Sequence, residues 1–416
     1  MAPTVEVIAD AIKAVGTAFI TGHPGGESVE LMDAARQRDM RFLLFKQEVA
    51  AAMMAATWGE ITGQPGLCLS TRGPGASNMV NGVAYAALDR APLIAITDQY
   101  DPATYATGLR QRLNQLAMYD PLVKWSTTIN AKTVGQQMRR ALRETTSPPP
   151  GPVHFDMPQS ETTRDASDYP GDAPLLANVV AIEPDRASLR AALKLIDNAR
   201  QPVLLVGLGV LWGKASAYVT ALAEHLDAPV LTTAKCKGVV SEDHSLRAGC
   251  IIGGIIERKL VSQADLIITI GLDAVELQPK AWPYSAPVLS ISATQNTDAM
   301  VPIGTEVVGP IGPILDRLTE FSSGGTGWGE KAAAAYREDV MNALNTPSSG
   351  LSPQRVMEVA RAVLPRDTIA ACDAGASRLL VVQKWEAYGP REFLGSNGLG
   401  SMGYALPGAM AAKMVN

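Results

Sequence analysis

The sequence predicts an α/β protein built of three consecutive α/β units with mostly parallel sheets. Short apolar runs such as Leu67-Cys-Leu-Ser70, Leu93-Ile-Ala-Ile96 and Pro202-Val-Leu-Leu-Val206 alternate with longer helical stretches. These runs lack polar alternation, as a strand covered on both faces in a parallel sheet requires. A chain of 416 residues also exceeds one ordinary domain, and its Gly/Pro/Ser-rich breaks fall where linkers belong.

The first unit, residues 1–165, opens with a helix over 5–15 and the strand Ala18-Phe-Ile-Thr21. A helix over 27–37 leads to Phe42-Leu-Leu-Phe45, and a helix over 48–59 to Leu67-Cys-Leu-Ser70. A helix over 76–88 precedes Leu93-Ile-Ala-Ile96. Another over 133–144 ends before Pro148-Pro-Pro-Gly-Pro152, which turns the chain into the strand Val153-His-Phe-Asp156. A polar stretch with Gly and Pro over 160–184 reads as a linker. The second unit, 185–320, begins with a helix over 185–199, and then Pro202–Val206 enters the turn Gly207-Leu-Gly209. Strands follow at Pro229-Val-Leu-Thr232, Asp265-Leu-Ile-Ile-Thr-Ile270 and Pro287-Val-Leu-Ser-Ile291. Ser322-Ser-Gly-Gly-Thr-Gly327 marks a boundary before a helix over 329–345. The third unit, 352–416, starts with the helix-opening pair Ser352-Pro353. It continues through a strand at Thr368-Ile-Ala-Ala371 and the turn Gly398-Leu-Gly-Ser-Met-Gly403 to a helix begun near Ala405. At about half a normal domain, its sheet is expected to be incomplete.

Composition narrows the function classes. With 47% hydrophobic and 19% charged residues the chain suits a soluble protein with large cores. The net charge of −5 offers no attraction to nucleic acid or an anionic membrane. Cys68, Cys236, Cys250 and Cys372 are scattered without a CxxC pair, so neither zinc nor a disulfide framework is signalled. The first residues lack the basic and apolar regions of a signal peptide, and no run reaches the roughly 18 apolar residues of a membrane span. A reducing cytoplasm is the expected compartment.

One carboxylate stands out. Glu48 lies between the apolar strand ending at Phe45 and the Ala/Met-rich stretch Val49–Ala56. A glycine-rich turn, Thr71-Arg-Gly-Pro-Gly-Ala-Ser-Asn78, follows the next strand. Burial disfavours the charged form of a carboxyl, so Glu48 is expected to hold and exchange a proton near neutral pH. The other reading is a carboxylate that lines a helix N-terminus, where the dipole favours it.

The motif order resembles a family. Gly22-His-Pro-Gly-Gly26, Lys46-Gln-Glu48, Arg72-Gly-Pro-Gly-Ala-Ser-Asn78, Thr97-Asp-Gln99, Gly151-Pro-Val-His-Phe-Asp156 and Gly398-Leu-Gly-Ser-Met-Gly-Tyr-Ala-Leu-Pro407 together resemble the thiamine-diphosphate-dependent enzymes of the acetolactate synthase group. These are 2-oxo-acid decarboxylases and carboligases. The resemblance implies a pyrimidine-binding, a central Rossmann-like and a partial diphosphate-binding domain. It implies thiamine diphosphate and Mg²⁺ as cofactors, a 2-oxo acid as substrate, and a cytoplasmic homodimer or homotetramer. Glu48 matches the glutamate that hydrogen-bonds the aminopyrimidine and serves its proton transfer. Pro24, Gly25, Pro74, Gly75 and Asn78 match the surroundings of that ring, and Gly375 and Ser377 a turn near the diphosphate. Gly400 and Met402 match residues that meet the pyrimidine from the neighbouring subunit, with Met402 as an apolar wedge. Gln111 matches an active-site glutamine, and Gly26, Glu27, Arg110 and Gln159 fall at the substrate mouth.

The departures from the family bear on substrate and cofactor. Arg110 replaces a phenylalanine, Gln159 a lysine and Glu27 a small residue, which points to a polar or acidic substrate rather than pyruvate. Two arginines that hold FAD in the family are absent: Pro149 occupies one position, and the other is lost near Asp273. FAD is therefore not expected. The Gly-Asp-Gly motif and later asparagine that hold Mg²⁺ are expected beyond Asn416, so residues 1–416 alone are expected to bind the cofactor weakly and to expose apolar surface over Met402–Met414. Two rival readings stand beside this one: a true acetolactate synthase that uses different side chains for the same work, and a non-catalytic fragment or homologue that acts only by assembly. The Gly207-Leu-Gly209 turn has the place of a phosphate cradle, but its spacing is short of the dinucleotide fingerprint and a structural turn is favoured. Of the four histidines only His23, beside the first glycine turn, is a candidate for substrate contact; His154, His225 and His244 read as surface or packing residues.

Overall fold

The computed structural model describes residues 2–166, 183–296, 298–325, 327–345 and 349–415. The chain forms two compact units, residues 1–179 with 398–416, and residues 180–397. The stretch expected as a third unit is thereby divided between them. The expected linker over 160–184 lies mostly outside the described residues.

The first unit holds a six-stranded parallel sheet. Its strands are β1 (Phe19–His23), β2 (Arg41–Leu44), β3 (Gly66–Ser70), β4 (Leu93–Gln99), β5 (Trp125–Thr128) and β6 (Pro152–Pro158), in the order β2-β1-β3-β4-β6-β5. Every side chain of β3, β4 and β6 is buried, which is why these strands read as continuous apolar runs. The helices Glu48–Thr62 and Pro74–Leu88 pack against each other at small residues. A Cβ on Gly82 would come 2.5 Å from Ala52 Cβ and 2.8 Å from the Val49 carbonyl oxygen. From Ala51 to Glu60 the first of these helices is buried all round, so no amphipathic period marks it. The helix Ala405–Val415 covers it further, with Ala411 against Met54 and Trp58. As expected, this segment keeps apolar surface: Met402 and Leu406 are 84% and 72% exposed.

The second unit holds β7 (Pro202–Val206), β8 (Val230–Thr232), β9 (Arg247–Cys250), β10 (Leu266–Ile270), β11 (Val288–Ser292) and β12 (Ile303–Val308). This sheet is also parallel, ordered β12-β11-β10-β7-β8-β9. A two-stranded parallel pair, β13 (Ala370–Cys372) and β14 (Phe393–Gly395), stands apart from it. The expected strands are all present. Those the sequence did not reveal are β5, β9, β12 and β14, of which the first three are edges of the large sheets. β5 and β12 are covered less and carry polar residues, Ser126 to Thr128 and Thr305-Glu306, so they lack the apolar run; β9, Arg247-Ala-Gly-Cys250, is buried but short and opens on a charged residue.

Candidate active site

Three neighbouring strands of the first sheet, β2, β1 and β3, deliver their C-terminal ends to one place, where open α/β sheets bind ligands. β1 ends in His23, the chain after β2 enters the helix at Glu48, and the turn after β3 enters the helix at Pro74. Between them lies a cleft of about 550 Å³ lined by His23, Glu48, Thr71, Pro74, Gly75, Ser77 and Asn78.

Glu48 is 7% exposed and is the first residue of its helix, behind extended Gln47. Both features foreseen for it, burial and a helix N-terminus, coexist. Its Oε2 accepts a hydrogen bond from Asn78 Nδ2 at 2.5 Å, and the same amide donates to Gln47 Oε1 at 3.0 Å. Among the described residues nothing hydrogen-bonds Oε1. A Cβ on Gly75 would lie 3.2 Å from that oxygen and 2.8 Å from Thr71 Cγ2. The missing side chain therefore keeps the space before the carboxylate open. His23 donates from Nδ1 to the Phe45 carbonyl at 2.7 Å, and its ring lines the cleft.

Behind the cleft runs a buried polar network. Gln115 is 1% exposed. Its Oε1 accepts from the Gly73 amide at 2.9 Å, and its Nε2 donates to Thr97 Oγ1, the Asp98 carbonyl and Asp156 Oδ1 at 2.9, 3.1 and 2.6 Å. Thr97 donates to Asp156 Oδ1 at 2.9 Å, and Gln99 Nε2 donates to Oδ2 at 3.2 Å. Burial raises the Asp156 carboxyl, and these three donors oppose the rise. His154 is wholly buried between Thr97 and Ser126 and stacked on Tyr119 at 4.1 Å; burial pushes its imidazole down to about 3, so it is neutral. It packs, as the sequence implied. Asp98 accepts from Ser28 Oγ at 2.6 Å, and burial pushes its carboxyl up to about 7. Gln115 was not singled out from sequence, and Thr97, Gln99 and Asp156 entered only as members of family motifs, without a role. For Thr97, Gln99 and Asp156, polar side chains near the ends of buried apolar strands were the available signal, because such groups have to be partnered.

The remaining candidates are distributed as follows. Glu27 pairs with Arg72 at 2.5 Å, and the Arg72 guanidinium lies 4.1 Å over the Tyr100 ring. The glutamate expected as a new mouth charge is thus neutralised from the glycine turn. Pro24 and Gly25 follow β1; a Cβ on Gly25 would meet Thr71 Oγ1 at 2.5 Å, while Gly26 has open space. Arg110 and Gln111 are exposed; the Arg110 carbonyl accepts from Tyr100 Oη at 2.5 Å, and the Gln111 backbone packs over Gly73. Gln159 is exposed at the start of the short helix Gln159–Thr162. Gly375 and Ser377 sit in the second unit, where β13 gives way to the helix Ala376–Lys384. Gly400 and Met402 belong to a turn whose Gly398 and Leu399 amides donate to Asp89, at 3.2 and 3.4 Å, and whose Ser401 donates to Asn81 at 3.1 Å. Asn81 is already about 10 Å along its helix from Pro74, at 1.5 Å per residue. Met402 is not among the residues of this chain that line the Glu48 cleft. Among the described residues no cluster of three or more His, Cys, Asp or Glu side chains is arranged to hold a metal ion, and no helix is long and apolar enough to cross a membrane.

Comparison with known proteins gives the same picture from another side. Models for the thiamine pyrophosphate enzymes match residues 3–118 as the N-terminal TPP binding domain, 189–318 as the central domain and 373–416 as the C-terminal TPP binding domain. A probable acetolactate synthase large subunit of Methanocaldococcus jannaschii is 30% identical, over 98% of this chain and 73% of its own length. The chain belongs to the thiamine pyrophosphate enzymes. A probable acetolactate synthase large subunit of Methanococcus aeolicus is 28% identical over 98% of the chain and 73% of its own length. The acetolactate synthase large subunit of Corynebacterium glutamicum is 28% identical over 98% and 68%. In this thiamine pyrophosphate enzyme the Glu48 cleft falls within the N-terminal TPP binding domain.

Proposed function

We propose that this protein breaks or forms a carbon–carbon bond beside the carbonyl of a 2-oxo acid, with thiamine diphosphate bound and Glu48 handling the proton of its pyrimidine. The observation that carries this reading is the Glu48 carboxylate: buried, held by Asn78 through one oxygen, and open to the cleft space kept by Gly75 through the other. The cofactor supplies, when bound, a thiazolium carbon that adds to the carbonyl and accepts the electrons of the breaking bond. Glu48 Oε1 would hold the proton at the pyrimidine ring. Pro74 and Gly75 would floor that ring, and the burial of Glu48 keeps water from competing for the same proton. The turn at Gly375 and Ser377 would meet the diphosphate, accompanied by Mg²⁺.

Two copies would complete the site. The cleft lies at the N-terminal end of the helix Pro74–Leu88, and the Gly400–Met402 turn is anchored further along it. Glu48 and Gln111 of one copy with Gly400 and Met402 of another would form a shared site in a symmetric dimer, or in a tetramer of such dimers. Because Glu27 is paired with Arg72, the exposed cation on the 108–114 loop is Arg110, which favours a polar or acidic 2-oxo acid over pyruvate.

Glu48→Gln tests the central claim in protein loaded with thiamine diphosphate. Glutamine keeps the shape but cannot deliver the proton, and general acid–base assistance is worth about 100- to 10,000-fold. Exchange of the thiazolium proton, followed by quenched-flow NMR, should slow by that order while the cofactor still binds. An unchanged rate would return Glu48 to a helix-terminal carboxylate. A panel of 2-oxo acids including pyruvate, read by carbon dioxide release and by product analysis, separates decarboxylation from carboligation. Light scattering that finds an active monomer would end the shared-site reading.

A further inference from the structure

The glycine turn Gly207-Leu208-Gly209 leaves the C-terminal end of β7. β7 stands where the strand order reverses, with β8 and β9 on one side and β10, β11 and β12 on the other. Physical chemistry puts a nucleotide at such a point, its phosphates on the amides of the turn. The family resemblance names FAD as the dinucleotide to test there.

In this chain the place is filled from within. The loop after β10 runs through Gly271 into the short turn Ala274–Glu276, which the Asp273 side chain caps by accepting from the Val275 amide at 3.1 Å. That turn carries the Glu276 carboxylate onto the glycine turn. Its Oε2 accepts from the Leu208 amide at 2.8 Å and from the Asp273 amide at 3.4 Å. Its Oε1 accepts from the Thr233 hydroxyl, just beyond β8, at 2.5 Å. The backbone amide, the hydroxyl and the switch point between strands are the components of an anion site, and one carboxylate uses them all. Burial pushes that carboxyl up to about 7 in spite of these donors.

The glycines have the same explanation. A Cβ on Gly207 would lie 2.7 Å from Glu276 Oε2 and 2.5 Å from Leu272 Cα, and one on Gly209 would lie 2.8 Å from Gly271 Cα. The absent side chains make room for the chain's own loop rather than for a ligand's phosphate. The helix that follows, Gly209–Trp212, has four residues and adds little dipole to the turn. Asp273, near the position where the family keeps an FAD arginine, is spent on the cap.

We propose that Glu276 is the resident anion of the central turn, and that it excludes flavin and other dinucleotides from this domain. The claim is independent of the reaction proposed above. Its test titrates FAD, ADP and inorganic phosphate into the wild-type chain and into Glu276→Ala and Glu276→Gln, all purified without added flavin. Flavin fluorescence and melting temperature are the readouts. Wild type and Glu276→Gln, whose side-chain oxygen can still accept from Leu208, should show no saturable binding of any of the three at about millimolar concentration, where even weak complexes form. Glu276→Ala bares the Leu208 amide and the Thr233 hydroxyl, and ADP or phosphate should then bind at least about tenfold more tightly than to wild type and raise the melting temperature. Saturable micromolar FAD or ADP binding by wild type overturns the proposal without any variant. So does a Glu276→Ala protein that melts cooperatively yet gains no affinity for ADP or phosphate.

Discussion

Gln115→Leu separates the scaffold of the cleft from its chemistry. The substitution preserves volume and keeps no polar group. The buried Gly73 amide loses its acceptor, and Asp156 loses the closest of its donors, at 2.6 Å. An orphaned buried amide costs about 1–3 kcal/mol, and a hydrogen bond to a charged group is worth about 1.5–3 kcal/mol. Asp156 keeps Thr97 and Gln99, and the leucine gains some apolar burial, so a net loss of about 2–5 kcal/mol is expected. Urea unfolding followed by tryptophan fluorescence measures it, with an unchanged m-value showing that stability alone has moved. A second readout follows from position. Gly73 immediately precedes the helix that presents Pro74, Gly75 and Asn78, so thiamine diphosphate affinity should fall alongside stability. A loss below about 0.5 kcal/mol, the ordinary scatter of surface substitutions, would refute the view that Gln115 ties the turn to the sheet.

Three further outcomes are expected. Gly82→Ala should cost about 1–3 kcal/mol by overpacking and weaken cofactor binding, because the two helices that carry Glu48 and Asn78 have to separate; a melting temperature and affinity equal to wild type would contradict this. His154 binds its proton below about 3 when folded, against about 6.5 when unfolded, so the unfolded chain holds more protons between those values and stability falls as pH drops through that window by up to about 1.4 kcal/mol per pH unit; His154→Gln should flatten that part of the stability–pH curve, and an unchanged slope would show that the imidazole titrates normally. Native thiol titration at pH 7 should modify at most Cys372, slowly, since Cys68, Cys236 and Cys250 are buried and burial pushes the Cys68 thiol up to about 12; rapid modification of two or more would mean that the core opens.

Central strands and their order along the chain were legible because burial on both faces leaves an unbroken apolar run, as in β3 and β7. The edge strands β5 and β12 were not, since they keep polar side chains half in water, whereas the edge strand β2 was legible from its apolar run Phe42-Leu-Leu44. Glu48 was legible for the converse reason: a carboxylate amid alanines and methionines is out of place locally. Gln115 sits in an irregular polar stretch, and nothing local distinguishes it; its role exists only once β4 and β6 lie side by side. Glu27 was taken for a free charge because its partner Arg72 arrives from another strand's turn. The same distance hid Glu276, which meets the glycine turn from 68 residues away.

The helix Ala405–Val415 lies on the helix Glu48–Thr62, although residues 180–397 fold as a unit of their own between these two stretches of chain. On the ribosome the first unit therefore waits for its closing piece while that whole insert is translated, roughly 10–45 s at about 5–20 residues per second. During this interval Met54 and Trp58 lack the Ala411 and Met414 contacts that later cover them. A nascent chain of this enzyme should thus present a sticky helix to holdase chaperones until its distal segment emerges, and a circular permutant that joins residues 398–416 directly to the first unit should remove that dependence.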